Sequence, residues 1–435
     1  MKIAFIGGGA LRLLGAVEDI LNRPDVFRDL NLVFMDRDIK RAETVSGLAR
    51  KMPAALQTGC RMEATDSLVT ALEGADFVYC YIRVGGVTAL ERDIRIALGY
   101  GYHGHDDFGP SAVMLTARTV PVVLDIAALM ERYCPEAYFL IFSNPITLLT
   151  DAVTRYSRIK SVGICPGVNN FAWDMDSLFG IGVPSPGLSY RGGGLNHFSW
   201  ITADSTYNGE PVMEFVNRKR DEISYEEAAK KCRWDLAVPM MEMYGTMFLN
   251  NGHQYHYLYH KQMTAELSAY FERTEDDALR SARQEKAMLE MAALLQQERI
   301  EDYWEHPVIK DCRSGPFCDT GVSFMEAVTK DSGAELIVTL PNRGHIAGLE
   351  EGYPVETSTQ VHRSQCRPIG IDPVPDALKG LCNAIGYHQR LTVDAAVKGE
   401  KAALFKAMFS DPVMRSYEEA YPMFEELWTA AGRDI

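Results

Sequence analysis

Short apolar runs alternate with helix-period stretches through the first half of the chain. Lys2–Ile6, Asn31–Met35, Asp76–Ile82, Tyr138–Phe142 and Ser161–Ile164 have the length and pattern of strands. Helical spacing fills the intervals, most clearly over Leu13–Asn22, Ile39–Lys51 and Met114–Tyr133. This βαβ rhythm predicts a parallel sheet covered by helices on both faces. Around Leu188–Tyr207 the pattern changes to hairpin-like alternation, with turns at Gly192-Gly193-Gly194 and Asn208-Gly209. The stretch from Glu222 to His306 reads as helix-rich, with Asp276–Glu305 its longest candidate. A strand signal returns at Glu335–Leu340, and Pro375–Met408 and Ser416–Ala431 read as closing helices. With no internal repeat or flexible linker, two packed units are expected. They are a doubly wound Rossmann-like unit over residues 1–185 and an α+β unit over 186–435.

Composition narrows the function classes. A length of 435 residues suits two domains, and a formal charge of −15 argues against nucleic acid or an anionic membrane as the main partner. The apolar run Ile3 to Ile6 is too short for a signal-peptide core, and no stretch reads as the ~20 apolar residues of a membrane span. Nine cysteines without a C-x-x-C or regular spacing read as reduced thiols of a cytoplasmic protein.

Candidate chemistry starts at Ile6-Gly7-Gly8-Gly9-Ala10-Leu11, which ends the first strand and opens a helix. Gly7 permits the tight turn, and Gly9 and Ala10 let backbone approach a pyrophosphate at the helix N-terminus. Position 12 is Arg, so the third glycine of the usual pattern is missing. Asp36 ends the second strand, where a carboxylate accepts from a ribose 2′-OH; that favours NAD over NADP. Ligands of open parallel sheets lie beyond the carboxyl ends of the strands. Those ends carry Arg83, Asn144 and Cys165, and Asn196-His197 follows downstream. Thiolate and neutral imidazole are competent metal ligands. Taken singly, Cys165 reads equally well as a small core residue and His197 as a satisfied structural histidine.

Ordered blocks lift these residues out of that ambiguity. They are Ile82-Arg83-Val84-Gly85-Gly86; Gly109-Pro110 with Ala117-Arg118-Thr119 and Pro121; Ser143-Asn144-Pro145; Cys165; Gly194-Leu195-Asn196-His197; Pro341-Asn342-Arg343-Gly344; and Leu391-Thr392-Val393-Asp394-Ala395-Ala396-Val397. In this order they resemble the NAD-dependent glycosidases of glycoside hydrolase family 4, which stand apart from two-carboxylate glycosidases. The resemblance implies a fold of the lactate/malate-dehydrogenase type, bound NAD, and a divalent metal, usually Mn²⁺, on Cys165 and His197. It also implies NAD contacts from Gly7, Gly9, Ala10, Asp36, Arg83 and Asn144, substrate contacts from Asn144, Arg83 and Asn196, and a homodimer or homotetramer. Its general base is a tyrosine in a short aromatic block. Tyr257, within Gly252-His253-Gln254-Tyr255-His256-Tyr257-Leu258-Tyr259-His260, is the best match, with Tyr255 and Tyr259 two positions away.

The implied chemistry is self-consistent. A sugar C2–H is not acidic until the C3 hydride passes to NAD⁺, after which the adjacent ketone and the metal acidify it. The leaving group then departs from C1 by elimination, water adds, and the hydride returns. The residue after the metal cysteine, usually Asp, Asn or His in the family, is Pro166 here, which supplies no proton. His103, His105, Asp106 and Asp107, in a loop before Gly109-Pro110, are the candidates to replace it. The Gly-His block resembles the branch acting on unphosphorylated galactosides and uronides, and the expected substrate is an unphosphorylated galactoside, glucoside or uronide. Two rivals differ in class: a 2-hydroxy-acid or sugar dehydrogenase, which accumulates NADH, and a non-catalytic NAD- or sugar-binding protein, which turns over nothing.

Overall fold

The computed structural model describes residues 1–220, 222, 237–249, 280–299, 305–307, 309–310 and 319–432. Six strands form its parallel part: β1 (Lys2–Ile6), β2 (Asn31–Met35), β3 (Arg61–Thr65), β4 (Phe77–Cys80), β5 (Tyr138–Ile141) and β6 (Lys160–Gly163). Their spatial order, β3-β2-β1-β4-β5-β6, is that of a dinucleotide-binding sheet, with all pairs parallel. The pleat explains why β1, β2 and β5 are almost wholly apolar. Ile3 and Phe5 enter one core while Ala4 and Ile6 enter the other, and β2 and β5 divide the same way. One face is covered by the helices Leu13–Leu21, Ile39–Arg50 and Asp319–Lys330, the other by Gly109–Tyr133 and Ile146–Tyr156. Asp38 caps Ile39–Arg50 by accepting from the Lys40 N–H.

The remaining strands are β7 (Leu188–Ser189), β8 (Gly192–Leu195), β9 (Phe198–Ile201), β10 (Thr206–Tyr207), β11 (Glu210–Pro211), β12 (Phe248–Leu249), β13 (Ala334–Pro341), β14 (Pro354–Val361) and β15 (Cys366–Pro368). Antiparallel β13, β14, β8, β9 and β12 extend the parallel sheet from β6, giving one twelve-stranded sheet with β15 on β14; β7, β10 and β11 form a separate small sheet. The expected Rossmann-like half and the added α+β half are therefore both present, joined through β6 and β13.

Two expectations change. β3 and β14 were not anticipated from the sequence, because Arg61 and Glu63 make β3 an edge-type strand and β14 is mostly polar yet buried. By length and composition the helix Gly109–Tyr133 is long and apolar enough to cross a membrane, contrary to the sequence expectation that no stretch is. In the structure 67% of its most apolar window is buried against the rest of the protein. The six described cysteines carry no disulfide.

Candidate functional site

The glycine loop lies as the strand–helix pattern requires. Gly7 has φ +88°, and a Cβ there would lie 2.2 Å from the Tyr81 carbonyl oxygen. The Gly7 and Gly8 N–H groups both donate to the Met35 carbonyl, and Ala10 N–H donates to Gly7 O. This closes the loop onto the ends of β2 and β4. The Asp36 carboxylate accepts from Gly9 N–H at 3.0 Å and from Asp38 N–H at 3.0 Å. A Cβ on Gly9 would come within 2.8 Å of Asp36 Oδ2 and 2.6 Å of Arg41 Cβ, so only glycine fits. Bare backbone at a helix entrance beside a fixed carboxylate fits a dinucleotide with a free ribose 2′-OH.

The other sequence-selected residues converge along the same carboxyl edge of the sheet, beyond β4, β5 and β6. Arg83, after β4, pairs with Asp106 at 2.8 Å. Asn144, after β5, donates from Nδ2 to Asp107 Oδ2 at 3.1 Å. His105 Nδ1 lies 3.2 Å from a carboxylate oxygen of each aspartate, and its ring stacks on Phe108. Cys165, after β6, has its Sγ 3.5 Å from His197 Nε2, and His197 Nδ1 faces Asp107 Oδ2 at 3.7 Å. Asp107 is thus the hub that links the loop, Asn144 and the Cys–His pair.

His197 reaches this point through its turn. Leu195 and Phe198 are paired, leaving Asn196-His197 as a two-residue hairpin loop, with His197 at φ +60°. The sequence reading missed the group that fastens this turn. Buried Glu356 of β14 accepts from Asn196 Nδ2 at 2.6 Å and from Ser199 Oγ at 2.5 Å. Asn196, expected to contact substrate, therefore has its amide nitrogen engaged with Glu356. No sequence signal marks Glu356, whose place follows from the β14–β8 register, Glu356 opposite Gly194.

The imidazole is ready to ligate a cation, whereas the thiol would give up its proton only to one. Burial pushes the Cys165 thiol well above its ordinary range, with Glu356 and Asp107 adding to the effect. Burial also lowers His197, leaving it a neutral imidazole. For His105, the Asp106 and Asp107 carboxylates outweigh the burial that would lower it, and its pKa is raised. For Asp106, His105 and Arg83 outweigh the burial that would raise it, and the carboxyl is held well below the usual range. At a zinc ion, a thiolate sulfur and an imidazole nitrogen at ~2.3 and ~2.1 Å would stand roughly 3.1–3.6 Å apart. The Cys165–His197 separation of 3.5 Å falls within that span. Two buried polar atoms of the cluster, Arg83 Nη1 and Asp107 Oδ1, make no hydrogen bond among the described residues, which leaves them for a ligand. Tyr257 and its neighbours Tyr255 and Tyr259 lie outside the described residues.

Comparison with known proteins agrees with this arrangement. The model of the family 4 glycosyl hydrolases matches residues 2–181, and that of the family 4 glycosyl hydrolase C-terminal domain matches 193–414. The chain is 25% identical to a probable 6-phospho-beta-glucosidase of Bacillus subtilis (strain 168), over 99% of this chain and 96% of that protein. It is 26% identical to an alpha-galacturonidase of Thermoanaerobacter italicus, over 99% and 96% respectively. The fold matches the 6-phospho-beta glucosidase from Thermotoga maritima, solved with manganese, NAD⁺ and glucose-6-phosphate, at a TM-score of 0.81 and 22% identity, covering 100% of this chain and 99% of that one. By these matches along nearly its whole length, the chain belongs to the family 4 glycosyl hydrolases.

Proposed function

We propose that this chain cleaves the glycosidic bond of an unphosphorylated galactoside, glucoside or uronide, with NAD on the glycine loop and a divalent cation, Mn²⁺ first, between Cys165 and His197. The observation that carries the reading is the Cys165 Sγ to His197 Nε2 contact of 3.5 Å, made between segments that the sequence holds far apart. When bound, the cofactor would take and return the C3 hydride and the cation would draw charge from O2 and O3, which together acidify C2–H.

The protein's own groups would do the rest. Gly7, Gly9 and Ala10 offer backbone to the pyrophosphate, and Asp36 accepts from the adenosine ribose. Arg83 and Asn144, held by Asp106 and Asp107, position the reacting sugar and the nicotinamide end. Asn196 supports the His197 turn through Glu356 and borders the sugar. Tyr257 is assigned the removal of the C2 proton. Its reference pKa of ~10 falls when a cation stands nearby, which makes it a competent base. Pro166 has no proton to give, so protonation of the leaving group is assigned to the His105–Asp107 loop. We divide the chain at 185/186, which keeps β1 to β6 together, and assign it to the cytoplasm as a homodimer or homotetramer, where Cys165 stays reduced.

The decisive experiment is turnover of aryl glycosides in D₂O with NAD⁺ and Mn²⁺. Deuterium at C2 of the released sugar, with no net NADH, is expected. A product without deuterium would show direct displacement and remove Tyr257 from its role. Net NADH on a hydroxy acid would favour the dehydrogenase instead.

A further inference from the structure

The helix Arg280–Gln296 belongs to the second half of the chain but is docked on the cofactor half. Its Ala287, Met288 and Met291, none more than 4% exposed, enter the core that holds Phe5 and Phe34. Leu295 Cδ2 lies 2.6 Å from where Gly47 would carry a Cβ, so the glycine admits the helix. The spacing of Met288, Met291 and Leu295 is that of one helical face. So seated, the helix touches both Ile39–Arg50 and Gly86–Gly99. Those two helices follow β2 and β4, the strands on either side of β1 and its glycine loop. Near this point Glu285 Oε2 lies 2.6 Å from Arg41 Nη1. Arg41 in turn borders the ribose position. Its Cβ and Asp36 Oδ2 stand 2.6 and 2.8 Å from the one point where Gly9 would carry a Cβ.

We infer that Glu285 is a cofactor-specificity residue: by pairing with Arg41 it withholds the guanidinium that would otherwise receive a 2′-phosphate. The inference rests on the NAD-binding reading and extends it beyond Asp36. In dinucleotide-binding sheets a nearby arginine accommodates the 2′-phosphate of NADP, and Arg41 stands in that neighbourhood. A phosphate and a carboxylate compete for the same fork of N–H donors, so an arginine held by Glu285 must break that pair first. Asp36 thus acts on the 2′ position directly, and Glu285 acts through Arg41. The Arg41 side chain is 30% exposed and that of Glu285 60%, which sets the effect at several-fold rather than all or none. Arg37, beside Asp36, is exposed and makes no ion pair among the described residues. It is common to every protein compared below, so its pull on a phosphate cancels. The selection is then shared between the two halves of the chain.

The test titrates NAD⁺ and NADP⁺ into the full chain by calorimetry. Glu285→Gln keeps the size of the side chain and removes its charge. NADP⁺ should bind this variant ~3–10-fold tighter than wild type, with NAD⁺ within about twofold. The gain should vanish in Glu285→Gln/Arg41→Gln, which separates a released arginine from a general loss of negative charge. Arg41→Gln alone should leave NADP⁺ affinity within about threefold of wild type, because the guanidinium is already engaged. Where NADP⁺ binds too weakly to resolve, adenosine 2′-monophosphate competing with NAD⁺ gives the same comparison. Glu285→Ala repeats the test if Glu285→Gln does not fold. Unchanged NADP⁺ affinity on loss of the Glu285 charge, or a gain that survives the loss of Arg41, would overturn the inference. So would a drop of ~10-fold or more in Arg41→Gln alone, which would mean that Arg41 already serves the phosphate. Failure of the underlying reading shows separately, as a wild type that binds neither dinucleotide.

Discussion

Replacing Asp36 with Ala tests the cofactor assignment at its most defined point. Both carboxylate oxygens already accept a backbone N–H, from Gly9 and Asp38, so the side chain is fixed before any ligand arrives. A carboxylate has about four lone-pair sites, enough to add a ribose hydroxyl without releasing the backbone donors. A hydrogen bond to a charged acceptor contributes about 1.5–3 kcal/mol, so NAD⁺ affinity should fall about 10- to 150-fold in the variant. NADP⁺ should respond in the opposite sense. Its 2′-phosphate would stand about 5 Å from the carboxylate, where each unit charge costs roughly 3 kcal/mol at an effective dielectric of ~20. Removing Asp36 therefore lowers discrimination from both sides. Asp36→Asn should be no milder, since its amide nitrogen would face a backbone N–H. Calorimetric titration of both cofactors into wild type and variants measures these shifts. An NAD⁺ Kd within threefold of wild type in a folded Asp36→Ala protein would refute the assignment, as would a wild type that binds both cofactors equally.

Further outcomes follow from the same structure. Chelation should abolish activity and Mn²⁺ restore it. Cys165→Ala and His197→Asn should lose Mn²⁺ by direct titration while keeping NAD⁺, and full activity of chelated Cys165→Ala would remove the metal from the scheme. Burial alone pushes the Asp174 carboxyl up to about 8, above the ~3.9 of an unfolded chain, so the folded state holds a proton that the unfolded state has released. Its contribution is therefore full below pH ~4 and is lost as pH rises toward 8. Asp174→Asn should flatten the decline of Tm between pH 5 and 8, a difference on the order of a few kcal/mol, and parallel Tm–pH curves would count against it. With Pro166 beside Cys165, the proposed metal ligand, nitrophenyl glycosides should outrun methyl glycosides of the same sugar, and His105→Ala should widen the gap by up to ~10²-fold. Matched rates on the two leaving groups would show that a missing acid does not limit turnover.

How much of this was readable beforehand depended on where each residue's partners lie. The bounds of β1 and β2 match the apolar runs residue for residue, because strands buried on both faces need apolar side chains at every position. The long helix begins at Gly109, five positions before the predicted Met114, because Gly109-Pro110-Ser111 resembles a loop although Pro suits a first helical turn. β14 was invisible for the opposite reason. Glu356, Thr357, Ser358 and Thr359 are polar and fully or nearly buried; Thr357 and Thr359 donate to carbonyls of β14 itself, and the partners of Glu356 and Ser358 lie on the β8–β9 hairpin. Arg83, Asn144 and Cys165 were legible as a group because the strand-end rule needs only local pattern. His197 joined them through the order of the family's blocks, and its 3.5 Å approach to Cys165 had no local trace.

The Cys–His pair also explains why the sheet continues past its parallel half. Cys165 leaves the end of β6, whereas His197 sits in the β8–β9 turn, with β13 and β14 between them in the sheet. A positive φ costs a residue with a Cβ about 1–2 kcal/mol, so the turn holds His197 only if its neighbours are fixed. Glu356 supplies that from the intervening strand by binding Asn196 before the histidine and Ser199 after it. Asp107 meets the imidazole from the other side, on the loop that opens the helix Gly109–Tyr133, and holds Asn144 through the same oxygen. A histidine with one nitrogen toward a carboxylate and the other toward a thiol has its tautomer and direction set before a cation arrives. Neither the parallel strands nor the antiparallel extension contains this geometry alone. Their continuous pairing brings a thiol and an imidazole 32 residues apart in sequence to one point beside the cofactor end of the sheet.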